Sequence, residues 1–212
     1  MQLIDLTHPV LEGMPAYPGT EPPRIVEANS LEEHGFREKK ITLYSHTGTH
    51  VDAPAHILAD GKTLDEFAIS AFHGPAVVYT HESDSSTIDI EHLRQLEEDL
   101  AKVDFLLIAT GWGRYWGQRE YFRDFPVLSL AAAQWLEQFE LKGVGLDAIS
   151  ADPVDSVELA VHFQLLSRNV LLFENLNNLE LIPTRRCTFT GLPLHLEAAD
   201  GAPIRAFVTV ED

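Results

Sequence analysis

The segment His46-Thr47-Gly48-Thr49-His50-Val51-Asp52-Ala53-Pro54-Ala55-His56 leaves its backbone few conformations. Gly48 and Pro54 oppose a helix, and so does the β-branched series Thr47, Thr49 and Val51. Extended backbone remains, and it sends successive side chains to opposite faces. From 41 to 51 the odd positions are Ile, Leu, Ser, Thr, Thr and Val; the even positions from 40 to 52 are Lys, Thr, Tyr, His, Gly, His and Asp. One face is therefore small or apolar, and the other is expected to present His46, His50 and Asp52 together. Gly48, between the two histidines, is expected to keep open the space an ion needs. Imidazole and carboxylate are the donors that zinc or manganese prefers. The alternative, the two-histidine helix of zinc proteases, lacks its glutamate, because Thr47 follows His46.

The rest of the chain alternates between strand-like and helix-like runs. Leu3 to Leu6, Arg24 to Ala28 and Ala76 to Thr80 read as strands, and Gly35 to Asp52 as an extended pair or one long bent strand. Gly61 to Phe67 reads as a turn followed by a short helix. Ile90 to Ala101 carries Leu93, Leu96 and Leu100 at helical spacing. Asp104 to Thr110, Gly143 to Asp147 and Asn169 to Phe173 are buried-strand runs. Ser129 and Ser156 are placed to cap helices, the second running to Arg168. Cys187 to Leu196 and Pro203 to Val210 close the chain as strands. The pattern predicts an α/β fold, a mixed-sheet domain with peripheral helices, formed by residues 1–212 as one domain.

With 33 acidic against 15 basic residues, the net charge of −18 argues against nucleic acid and anionic membranes as partners. No apolar run is long enough for a membrane span, and residues 1–5 lack the features of an export signal. The single cysteine, Cys187, fits a reducing compartment and so a cytoplasmic protein. Its strand-like surroundings suggest a packed thiol rather than a nucleophile.

A working site draws on distant parts of the chain. His162 lies on the apolar face of its expected helix, and Glu174 follows Val170-Leu171-Leu172-Phe173 at the carboxyl end of a buried strand, where α/β sheets place ligands. A buried carboxylate needs a positive partner, and a metal bridging to His162 would provide one. Taken singly, His162 could be a hydrogen-bonded core histidine and Glu174 a solvated loop acid. Trp112-Gly113-Arg114-Tyr115-Trp116 and Tyr17 could line a pocket or dock on their own protein. His73 reads as a turn residue, and His8, His34, His81, His92 and His195 as structural or solvated.

His46 to His56 resembles the His-x-Gly-Thr-His-x-Asp-x-Pro-x-His signature of the cyclase family of metal-dependent hydrolases, which includes bacterial kynurenine formamidases and isatin hydrolases. Asp5-Leu6-Thr7, Tyr17-Pro18-Gly19, Gly61-Lys62-Thr63-Leu64-Asp65, Thr110-Gly111-Trp112, Gly145-Leu146-Asp147 with Ser150, and Glu174-Asn175-Leu176 follow in family order. The resemblance implies two divalent ions per chain, zinc or else manganese. His46, His50 and Asp52 would hold one, with Asp52 bridging to a second completed by His162 and Glu174. It also implies His56 as the catalytic acid/base, a barrel-like or layered β core, and a homodimer or tetramer whose site lies near a subunit contact.

The expected activity is hydrolysis of an amide C–N bond in a small molecule, an aryl formamide such as N-formylkynurenine. Opening of an isatin-type lactam needs the same machinery. A metal- or metabolite-binding protein without turnover would have no need of His56, and a single-metal cupin-like protein no need of Glu174.

Overall fold

Runs of apolar residues at every position, as in Phe105-Leu106-Leu107-Ile108-Ala109, belong to strands covered on both faces. The computed structural model, which describes residues 1–83 and 85–211, builds its centre from such strands. In chain order the strands are β1 (Gln2–Asp5), β2 (Arg24–Asn29), β3 (Glu38–Thr42), β4 (His50–Asp52), β5 (His73–Thr80), β6 (Thr87–Ile88), β7 (Phe105–Ala109), β8 (Val127–Leu128), β9 (Gly143–Leu146), β10 (Leu171–Glu174), β11 (Arg186–Pro193) and β12 (Gly201–Val210). An eight-stranded sheet runs β1-β12-β11-β5-β7-β9-β10-β4, and β4 pairs back onto β12. All but β1 thus close into a barrel-like ring, with β1 beside β12 outside it. β5, β7, β9 and β10 are mutually parallel, and the remaining pairings are antiparallel. This is the mixed α/β architecture with a barrel-like core expected from the sequence.

The two faces of β7 show how the layers form. Phe105, Leu107 and Ala109 point into the ring with Phe173, Phe189, Ala202 and Val208. Leu106 and Ile108 point outward under Leu93, Leu96, Leu136, Leu165 and Leu166 of the crossover helices. Phe105, Phe173 and Phe189 meet with ring centroids 5.0–5.8 Å apart. They fill the ring because Gly143 and Gly191 leave room, since a Cβ on either would lie within 3 Å of Phe173. Truncating one of these rings would cost about 3–5 kcal/mol. The hairpin of β2 and β3 stands apart, with Leu31, Phe36 and Ile41 all more than half exposed.

Four expectations are corrected. The stretch from His46 to Asp52 is not one strand: only His50–Asp52 is extended, and residues 45–49 form a turn. Gly48 is in the left-handed region at φ 66°, and the space a Cβ would occupy is filled by the Met14 methyl, not by a vacant ion site. The Ser156 helix begins only at Ala160, because Leu159 takes φ 45° and Asp152 accepts from the Val161 and His162 N–H groups in place of Ser156. The expected helix 90–101 is broken into Ile90–Leu93, a tighter turn at Arg94–Leu96 and Glu97–Leu100, with its three leucines buried as expected. Among the described residues no helix is long and apolar enough to cross a membrane.

Candidate metal centre

β4 is only three residues long, yet it fills the gap between β10 and β12. Glu174 lies opposite His50, and Leu172 and Gly201 lie on either side of Asp52. Val51 points into the ring, so His50, Asp52 and Glu174 share the outer face. His162 reaches the same face from the helix Ala160–Leu166. His46 arrives from the turn before β4. Its ring lies over Gly201, where a Cβ would stand 2.5 Å from His46 Cε1.

Each of these three histidines has one nitrogen anchored and the other turned toward Asp52. The His50 Nδ1–H donates to the Gly48 carbonyl at 2.8 Å, leaving Nε2 3.1 Å from Asp52 Oδ1. The His162 Nδ1–H donates to Asp152 Oδ2 at 2.7 Å, leaving Nε2 3.7 Å from Asp52 Oδ2. His46 Nε2 donates to Asp200 Oδ2 at 3.0 Å, and its Nδ1 lies 2.6 Å from Asp52 Oδ1. Glu174 sits between, with Oε2 3.5 Å from His50 Nε2 and Oε1 3.3 Å from His162 Nε2. Glu174 Oε1 also accepts from the Ala151 N–H at 2.7 Å. Histidines oriented through an outer carboxylate or carbonyl are characteristic of metal ligands.

Asp52 is the hub. It is buried, and its Oδ2 has no hydrogen-bond partner. A buried carboxylate oxygen without a donor is unfavourable, and a divalent cation between Asp52 and the free imidazole nitrogens would satisfy it. Two compact sets could each hold an ion: His46, Asp52 and His56, and His50, Asp52 and Glu174. They share Asp52.

The charges follow from this crowding. Burial works against a protonated His46, but the Asp52 charge and the hydrogen bonds to Asp52 and Asp200 outweigh it and push its pKa up to about 9. Burial also opposes protonation of His162, yet Asp152 and Glu174 raise it to about 10. Burial would raise the pKa of Asp52; the neighbouring His50 and His46 instead hold it well below the usual carboxylate range. The imidazolium protons thus stand where cations are favoured.

All six expected residues come together. His56, half-buried at the end of the short turn Pro54–His56, has its ring 4.0 Å from that of His46 and 6.0 Å from that of His162. Its Nδ1 is 3.9 Å from Asp200 Oδ2. Burial lowers its pKa, which favours the neutral ring. The sequence reading missed Asp152, Asp200 and Asn175. Asn175 Nδ2 donates to the Gly48 carbonyl at 2.9 Å, and its Oδ1 accepts from Tyr121 OH at 2.7 Å, which fixes the His46–His50 turn. Asp152 and Asp200 carry no spacing signal; the loop before the His162 helix brings in the first and the β4–β12 pairing the second, whereas Asn175 directly follows Glu174. His8 is buried rather than solvated, stacked on Trp116 at 3.8 Å. The aromatic segment docks on the protein itself, with Trp112 Nε1 donating to the Tyr121 carbonyl. His73 begins β5 and hydrogen-bonds Thr190 at 2.8 Å.

A family model described as "putative cyclase" matches residues 4–153, which span the His46–His56 segment and Asp152. The chain belongs to the cyclase family. Kynurenine formamidase of Bacillus cytotoxicus is 32% identical over 208 residues, 97% of this chain and 96% of the relative. Isatin hydrolase A from Ralstonia solanacearum has a TM-score of 0.86 at 23% identity, covering 99% of this chain and 92% of that one, a likeness of fold. A predicted metal-dependent hydrolase from Bacillus stearothermophilus has a TM-score of 0.81 at 26% identity, covering 98% of this chain and 97% of that one. Family membership puts the donor cluster in a setting where metal-dependent hydrolysis is already described.

Proposed function

We propose that the chain, acting as one domain over residues 1–212, is a metal-dependent amide hydrolase that cleaves the C–N bond of an aryl formamide such as N-formylkynurenine. The observation that carries this is the buried Asp52 carboxylate, whose Oδ2 has no partner and faces His162 Nε2 while Oδ1 faces His50 Nε2, both rings being anchored through their other nitrogens. Asp52 Oδ1 lies near His46 and His50, Oδ2 faces His162, and Glu174 lies between His50 and His162. His46, His50, Asp52, His162 and Glu174 would hold two divalent ions, with Asp52 available to both. Nitrogen and oxygen donors suit zinc, with manganese as the alternative. Bound there, such ions supply a Lewis acid toward a carbonyl oxygen and lower the pKa of water.

The chain's own groups do the rest. Asp152, Asp200 and the Gly48 carbonyl hold the three imidazoles in place. His56 faces Asp200 through Nδ1, and burial favours its neutral ring. His56 takes a proton from the attacking water and returns it to the leaving nitrogen, so that the C–N bond breaks to an arylamine and formate. Opening of an isatin-type lactam is the second reading, favoured by the fold shared with isatin hydrolase. We place the enzyme in the cytoplasm, as a homo-oligomer assembled through the exposed apolar residues of the β2–β3 hairpin; an isolated hairpin is marginal in water.

The test joins two measurements. His56→Ala should retain its metal and lose formamide turnover by about 10²–10⁴-fold. Chelation should abolish wild-type turnover and added zinc restore it. Turnover indifferent to chelation refutes the metal reading, and loss of metal from His56→Ala makes His56 a ligand instead.

A further inference from the structure

A cavity of about 670 Å³ is lined by Arg119, Phe122, Arg123, Asp124, Val154 and Asp155 among others. Its wall at Val154 lies two residues beyond Asp152, which anchors His162. Tyr17 OH also donates to the Val154 carbonyl at 3.1 Å. A second cavity, of about 340 Å³, shares Arg119 and Phe122 and extends to Met14 and Tyr17. The Met14 methyl lies against Gly48, between His46 and His50. The two cavities share a wall at Arg119 and Phe122, and the second reaches Met14, which packs on the His46–His50 turn.

The arginines are the unexplained part. Acidic residues outnumber basic ones by 33 to 15, and Arg168, Arg186 and Arg205 each pair with an acid. Among the described residues, the guanidinium groups of Arg119 and Arg123, like those of Arg24, Arg37 and Arg94, hold no hydrogen bond or ion pair, and these two line the same cavity. Arg119 and Phe122 share the short turn Arg119–Phe122, which Arg123 follows directly, and all three line the cavity. A pair of guanidinium groups matches a carboxylate. Asp124 and Asp155 on the same walls oppose a polyanion such as a phosphate ester.

We propose that this cleft binds the carboxylate of an aromatic monoanion, with Arg119 and Arg123 as its cationic contacts and Phe122 against the ring. If the centre is an amide hydrolase, the acid bound there is part of the substrate; only that clause rests on the preceding reading.

Benzoate and its neutral analogue benzamide serve as probes of the full-length chain, followed by ligand-observed NMR titration. Benzoate should bind saturably and at least about 10-fold more tightly than benzamide. Arg119→Gln combined with Arg123→Gln should weaken benzoate by about 10–100-fold while keeping the wild-type circular dichroism melt. Equal binding of the two probes to the wild-type chain overturns the proposal without recourse to a variant, as does unchanged benzoate binding in a folded double variant. A second arm compares kcat/KM for a neutral formanilide and one bearing a side-chain carboxylate. Their ratio should favour the acid in the wild type and collapse in the double variant. Benzoate binding without hydrolysis of either formanilide leaves the cleft standing and removes the hydrolase reading. Hydrolysis with no preference for the acid removes the substrate role of the cleft.

Discussion

Gly201→Ala tests the centre without touching a donor. Gly201 pairs with Asp52 across the sheet, and its missing side chain makes room for the His46 ring. An added Cβ would stand 2.5 Å from Cε1, 2.8 Å from Nε2 and 2.9 Å from Nδ1 of that ring. Ordinary contact begins near 3.5 Å, so the ring must retreat by about 1 Å. It has nowhere to retreat without loss: Nδ1 is held by Asp52 at 2.6 Å and Nε2 by Asp200 at 3.0 Å. One of two charge-assisted bonds is stretched or broken, each worth about 1.5–3 kcal/mol; Asp200 is half-exposed, so its bond lies toward the low end. Displacing a ligand ring this way should weaken zinc by about 10–100-fold, read by competition with a chromophoric chelator. Gly113→Ala is the matched control, because its Cβ would meet nothing nearer than Asp147 Cβ at 3.9 Å. It should bind zinc like the wild type and melt within about 0.5 kcal/mol of it. If Gly201→Ala binds zinc as tightly as Gly113→Ala, then His46 is not a ligand held in that position.

Burial holds His8 near a pKa of about 4, against 6.5 for a free histidine. Its folded value is the lower one, so the unfolded chain takes up the proton first as pH falls. The stability it contributes is complete above pH 6.5 and lost between 6.5 and 4, by up to about 3 kcal/mol. Urea melts across that range should show a shallower pH slope for His8→Phe than for the wild type, and equal slopes would place His8 in water. Asp152→Asn removes the charge that fixes His162 Nδ1 and should lower zinc affinity about 10–100-fold; unaltered affinity in the chelator competition would detach His162 from the centre. Burial pushes the Cys187 thiol up to about 11, so an aromatic disulfide reagent at pH 7.5 should label it slowly in the native protein and fast in urea. Rapid native labelling would contradict its packed position.

Strands covered on both sides were plain in the sequence because they need no partner to be recognised: β5, β7, β9 and β10 fall where unbroken apolar runs lie. The Ser129 helix was equally local, since the hydroxyl accepts from the Ala132 N–H at 3.0 Å. The failures were non-local. Asp152 outcompeted Ser156 for the helix start because a carboxylate accepting two N–H groups is the stronger cap, and nothing near Ser156 announces it. The His46–Asp52 alternation suggested a single strand, yet the left-handed Gly48 folds the chain there, and Asn175 ties the turn down from 127 residues away. The donors were legible by residue type, whereas Asp200 and Gly201 enter only when β12 pairs with β4.

That pairing has a mechanical meaning. Three residues, His50 to Asp52, are the last stave of the ring, and two of them carry ion-seeking groups. Without an ion, protonated imidazoles offset the acids at this short joint, whereas an ion held there would tie β10, β12 and the His162 helix together across it. Loading the chain and finishing its folding would then be one event, so heat tolerance should climb with occupancy.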